Sequence, residues 1–205
     1  MAIPGSSRAL RGRRGAALLA LLAPLALASC ESVNGSGRPP LQQAVLEGGA
    51  VVVAGPGGYC VDPVTLKRGA GRGFAVLASC QILSGGETGA VVDPMMLTVT
   101  VGPAGAAGEV PAPETLAAEA GRLRLAGGEI RDGLSVAYLA GGGDRALPGG
   151  DPRHWRGAFL LNGRLVVMAL YAPSGGVLAG GDGAAMLQAV RARITQLSPE
   201  AAAQR

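Results

Sequence analysis

The segment Trp155–Tyr171 limits the fold of this chain more than any other. Two apolar runs flank Asn162-Gly163, and an Asn-Gly pair supplies the two positive φ values of a type I′ turn. The segment therefore predicts a tight antiparallel hairpin. Its second arm, Leu165-Val166-Val167-Met168-Ala169-Leu170, is apolar at both parities. Successive strand residues point to opposite sides of a sheet, so a strand with water on one side alternates in polarity. This arm predicts a central strand covered on both faces.

The rest of the fold follows from composition and spacing. Val51–Ala54, Tyr59–Val61, Phe74–Cys80 and Leu97–Val101 have the length and β-branched content of strands. Gly55-Pro56-Gly57-Gly58 makes a turn between the first two. Leu134–Leu139 alternates, and Asp132-Gly133 before it predicts a second tight turn, pairing it with Glu129–Arg131. Two helices are expected. One runs from Pro113 to Leu125, with Leu116, Ala120 and Leu123 on one face and Gly127-Gly128 as its stop. The other covers Gly183–Leu197, with Asp182 as N-cap and Leu187, Val190, Ile194 and Leu197 at helical spacing. Tight hairpins with two helices predict an α+β fold, an antiparallel sheet of about six strands with a helix on each face. The arrangement of the second half resembles the PsbP-like family of exported α/β/α domains.

The amino-terminal residues predict an export signal. Arg8, Arg11, Arg13 and Arg14 precede an apolar run from Ala16 to Ala28, with no acidic residue before Cys30. Such a run is too short to span a bilayer core as a helix, which takes roughly 20 apolar residues. Leu27-Ala28-Ser29-Cys30 resembles the lipobox of bacterial lipoproteins. That resemblance implies a diacylglyceryl group on the Cys30 thiol, cleavage before it and acylation of the new amino terminus. Two or more acyl chains anchor a protein stably where one does not. The competing reading is ordinary secretion with cleavage after Ala28. Glu31, in place of the aspartate that retains enteric lipoproteins in the inner membrane, favours the outer membrane. Residues 1–29 are then a signal peptide, 30–40 a Ser/Gly/Pro-rich tether, 41–197 one domain and 198–205 a polar tail.

Cleavage there changes the charge. Taking four leader arginines from the 18 basic residues leaves 14, equal to the 14 acidic residues. The mature chain is near neutral, so no nucleic-acid partner is expected. Lys67, Arg68 and Arg72 are read as a solvated loop cluster. With Cys30 lipidated, Cys60 and Cys80 remain, and in an oxidising envelope they are expected to form a disulfide. Two sulfurs with one histidine in the chain make a poor zinc site, and no metal or cofactor is expected.

Motifs for chemistry are sparse. His154 is the only histidine, so a Ser-His-Asp or Cys-His site would have to use it. No Gly-x-Ser-x-Gly elbow or Gly-Lys-Ser/Thr phosphate loop occurs. Gly141-Gly142-Gly143-Asp144 and Gly180-Gly181-Asp182-Gly183 offer one aspartate each, far short of the six to eight oxygens calcium takes. Asp144 and Asp151 are the candidate carboxylate pair for glycoside-type hydrolysis. His154, Trp155 and Arg156 are the candidate recognition surface, in what reads as a loop opening the hairpin. Gly58-Tyr59-Cys60-Val61-Asp62-Pro63, and Trp155-Arg156 with Leu161-Asn162-Gly163-Arg164-Leu165, are similar to uncharacterised lipoproteins of alphaproteobacteria. The expected function is a non-catalytic binding or structural module, anchored to a membrane and meeting another envelope protein. An envelope hydrolase and a carrier of an apolar ligand are the alternatives.

Overall fold

Both predicted tight turns form with left-handed backbone at each central residue. Asn162 and Gly163 have φ of 50° and 66°, and Asp132 and Gly133 have φ of 49° and 74°. The structure is a computed structural model that describes residues 38–69, 71–121 and 124–198. The leader, Cys30 and residues 199–205 lie outside the described residues.

In chain order the strands begin with β1 (Ala44–Leu46), β2 (Val51–Val53), β3 (Tyr59–Val61), β4 (Lys67–Gly69) and β5 (Arg72–Ser79). Helix α1 (Cys80–Leu83) and β6 (Met96–Val101) follow, then α2 (Pro113–Glu119), β7 (Leu125–Arg131) and β8 (Leu134–Leu139). Helix α3 (Gly143–Ala146) leads to β9 (His154–Leu161), β10 (Arg164–Tyr171) and α4 (Asp182–Leu197). Short 3-10 turns occupy Glu47–Gly49 and Val177–Ala179.

The fold is α+β. Its main sheet has the order β3-β5-β6-β10-β9-β8-β7, with β4 also on β5. Every ladder in it is antiparallel. β1 and β2 form a separate two-stranded ribbon. The sheet thus has eight strands where about six were expected. One strand the sequence does not display is β4, whose charged Lys67 and Arg68 look like loop.

Alternate residues of each strand feed two apolar clusters. The larger gathers Leu187, Val190 and Ile194 of α4 with Leu134, Val136, Phe159, Val166, Met168 and Leu170. The smaller gathers Leu116 and Ala117 of α2 with Ala137, Leu139 and Ala158. Each fully buried leucine or phenylalanine stabilises the fold by roughly 1.5–3 kcal/mol.

Several local expectations are corrected. Helix α2 stops at Glu119 instead of Leu125, and Gly127-Gly128 lie inside β7. A Cβ on Gly128 would stand 2.6 Å from the Pro113 Cβ and 2.8 Å from the Val136 carbonyl oxygen. Glycine is there to let α2 approach the sheet. Asp182 is the first residue of α4 instead of its N-cap, which is Gly181 with no side-chain bond. Ser198 belongs to the domain, since its hydroxyl accepts from Val52 N–H at 2.9 Å and donates to the Ile194 carbonyl at 2.7 Å.

Cys60 and Cys80 form a disulfide across 20 positions of sequence. Cys60 lies in β3 and Cys80 opens α1 at the end of β5, so the bond ties two paired strands. A loop of this size is worth about 3 kcal/mol in the chain-entropy model.

Candidate functional site

His154, Trp155 and Arg156 are not in a loop; they open strand β9. The strand alternation therefore splits the recognition surface expected of them. Trp155 points to the side of Tyr138, its partner on β8, and the two rings stack with centroids 4.5 Å apart. The Trp155 indole N–H donates to the Gly180 carbonyl at 2.8 Å, and the Tyr138 hydroxyl donates to the Ala179 carbonyl at 3.0 Å. A Cβ on Gly183 would fall 2.2 Å from Trp155 Cδ1. The indole thus seats the start of α4, and its polar edge is spent inside the domain.

His154 is a core residue, 2% exposed, stacked on Tyr171 at 5.0 Å. Burial, then the nearby positive charge of Arg156, pushes its pKa below the usual imidazole range, against the opposing carbonyls of Pro152 and Gly141. Neutral and enclosed, it is not the loop histidine read from the sequence. Its burial comes from contacts with β10, which local sequence does not display.

Asp151 is also committed. Its carboxylate accepts from Arg153 N–H at 3.0 Å, from Arg153 Nε and Nη2 at 2.9 Å each, and from Gly175 N–H at 3.4 Å. The Arg153 guanidinium holds its carboxyl well below the usual carboxylate range, although burial opposes this. A carboxyl held so firmly ionised has no proton to donate near neutral pH, which the acid of a glycosidase pair must do. Asp144 is exposed on α3. Among the described residues, no three His, Cys, Asp or Glu side chains gather into a metal site, and no helix is long and apolar enough to cross a membrane.

Sequence reasoning did not find the Glu47–Arg164 pair. Arg164 Nη1 lies 3.3 Å from Glu47 Oε2, which also accepts from Gly71 N–H at 3.2 Å. Asn162 Nδ2 donates to the Ala50 carbonyl at 2.8 Å. A cleft of about 460 Å³ opens beside the pair, against Arg68 and Ala104. Glu47 Oε1 and Arg164 Nε are both shut off from solvent without partners, so these polar groups face inward. The pair ties the β1–β2 ribbon to β10. Nothing local marks it, because the partners are 117 positions apart.

Arg156 is different. Its register places it in a row across the sheet: Val76, Thr98, Ala169, Arg156, Ala137. On the same side stand Phe74, Met96, Thr100, Leu165 and Val167, and every one of them is half-buried. On the other side Ala75, Leu77, Leu97, Val99, Val101, Val166, Met168 and Leu170 are 0% exposed. Helix α2 packs beside β7, β8 and β9, which leaves the β10-β6-β5 part of this side open among the described residues. The Arg156 guanidinium makes no hydrogen bond or ion pair with a described residue, and of its nitrogens only Nε is shut off from solvent. The Lys67 ammonium stands 6.0 Å from the Phe74 ring centroid at the margin. The result is a half-buried apolar surface carrying Thr98 and Thr100, with Arg156 beside it as a cation that no described residue pairs.

No protein-family model, curated protein or solved structure matches the chain.

Proposed function

We propose that this chain is an envelope lipoprotein, cut before Cys30 and held by lipid on that cysteine, whose domain is a non-catalytic binding module. In this reading α2 and α4 cover opposite faces of the sheet, and the half-face that α2 leaves open binds another envelope component. That open half-face carries the proposal. Its strand β10 is apolar at both parities, a pattern suited to cover on both sides, yet Leu165 and Val167 are only half-buried. The Cys60–Cys80 disulfide supports an oxidising compartment. The internal use of Asp151, His154 and Trp155 weighs against the hydrolase alternative.

The test is site-specific photocrosslinking in cells from position 98, with position 115 on the outer side of α2 as control. A discrete adduct to an envelope protein from Thr98, absent from Thr115, is expected. No adduct from positions 96, 98 or 167 would overturn the binding role.

A further inference from the structure

The dimensions of the open half-face decide what can fill it. Three strands at about 4.8 Å spacing, paired over about six residues, give an area of roughly 300 Å². A standard protein interface takes about 800 Å² from each partner, so a globular surface would overhang this one on every side. A helix is about 10 Å across. The same side of the sheet already holds one: α2 lies over β7, β8 and β9. The strip beside it, over β10, β6 and β5, is as wide and has no helix of the described chain on it.

The chemistry of the strip narrows the occupant further. Val76, Met96, Leu165 and Val167 offer apolar contact, and no carboxylate of the described residues meets Arg156. Ala169 lies between Arg156 and Thr98 in the row. Ala169 is itself buried, 4% exposed, so neighbouring atoms close over it, and an anionic group can reach only the solvent-facing nitrogens of the Arg156 guanidinium. A carboxylate on an arginine in a largely apolar setting forms strong, charge-assisted hydrogen bonds. A bound apolar solute would leave the guanidinium uncompensated, and covering a charge without a partner is costly.

Resting on the binding role proposed above, we infer that the open half-face docks an amphipathic helix of a partner protein, with a carboxylate of that helix on Arg156. The helix lies beside α2 and completes the layer on that side of the sheet. Its apolar stripe meets Val76, Met96 and Val167, and its acidic residue meets the solvent-facing nitrogens of the Arg156 guanidinium.

The test uses the membrane-extracted protein in nanodiscs and two fluorescent 14-residue peptides, with empty nanodiscs subtracted. Both carry leucines at helical spacing and glutamines elsewhere. One has a glutamate midway in the leucine stripe, the other a lysine. The glutamate peptide is expected to bind at least tenfold more tightly. Arg156→Glu should invert the preference, and Arg156→Gln should erase it while both peptides still bind. Val167→Asp should weaken both. Equal binding to the wild-type protein, a preference that survives in Arg156→Gln, or no binding of either peptide would overturn the inference. Lipid acyl chains labelled from position 98 in the crosslinking experiment would also overturn it, by placing the face on the bilayer. Crosslinking distinguishes the two levels of failure. A protein adduct at position 98 without acidic-helix preference removes the helix and leaves the docking face.

Discussion

Arg156 and Ala169 are direct cross-strand partners at the centre of the sheet. Ala169 is buried, the guanidinium beside it is half-buried, and no carboxylate of the described residues bonds it. A residue kept for stability alone would be apolar at this point. Arg156→Met is therefore expected to stabilise the isolated domain by about 1 kcal/mol, because it removes a polar Nε that is buried without a partner. The same change should weaken the Thr98 adduct. Urea midpoints with unchanged slopes measure the first effect. A loss of stability instead would show that the arginine serves the fold.

Trp155 and Gly183 form a second fixed relationship. Gly183→Ala places a methyl inside the indole contact and should destabilise by about 1–3 kcal/mol, the usual range for overpacking. Trp155→Phe keeps much of the stack on Tyr138 but removes the indole donor to the Gly180 carbonyl, which keeps the Gly183 N–H at 3.3 Å. Its cost should be about 0.5–1.5 kcal/mol. Thermal unfolding of both variants checks this, and a neutral Gly183→Ala would contradict the packing described.

His154 predicts a pH dependence with a definite sign. Burial and Arg156 depress its folded pKa. As pH falls through about 6.5, the unfolded chain takes up a proton that the folded chain refuses. Stability is therefore full above that pH and declines below it, by at most about 1.4 kcal/mol per pH unit. Asp151, whose pKa is also depressed, begins to cost stability only below the unfolded carboxylate range near pH 4. The decline between pH 7.5 and 5 should thus disappear in His154→Phe, which keeps a ring on Tyr171. Denaturant midpoints at the two pH values test it, and an equal decline in the variant would exclude His154 as its source.

What the sequence displayed was set by short-range chemistry. Asn162-Gly163 and Asp132-Gly133 state their turns, because few other residues adopt two positive φ values in succession. The apolar spacing of Leu187, Val190 and Ile194 states α4. What it hid depends on contacts between distant segments. Gly127-Gly128 read as a helix stop, and the close approach of Pro113 and the Val136 carbonyl explains Gly128. His154 read as surface because Tyr171, which encloses it, comes after the turn. Trp155 and Arg156 read as one feature because adjacency in sequence conceals that strand neighbours face opposite ways. The doubly apolar β10 was the one long-range clue in plain view. It announced a covering that the described chain supplies on one side and only in part on the other.

The proposed membrane anchor rests on Cys30. Mass spectrometry of the amino-terminal peptide from the membrane fraction tests it most directly. A peptide that begins at Cys30 and carries two or three acyl chains is expected. An unmodified peptide that begins upstream of Cys30, or after Ala28, would contradict it.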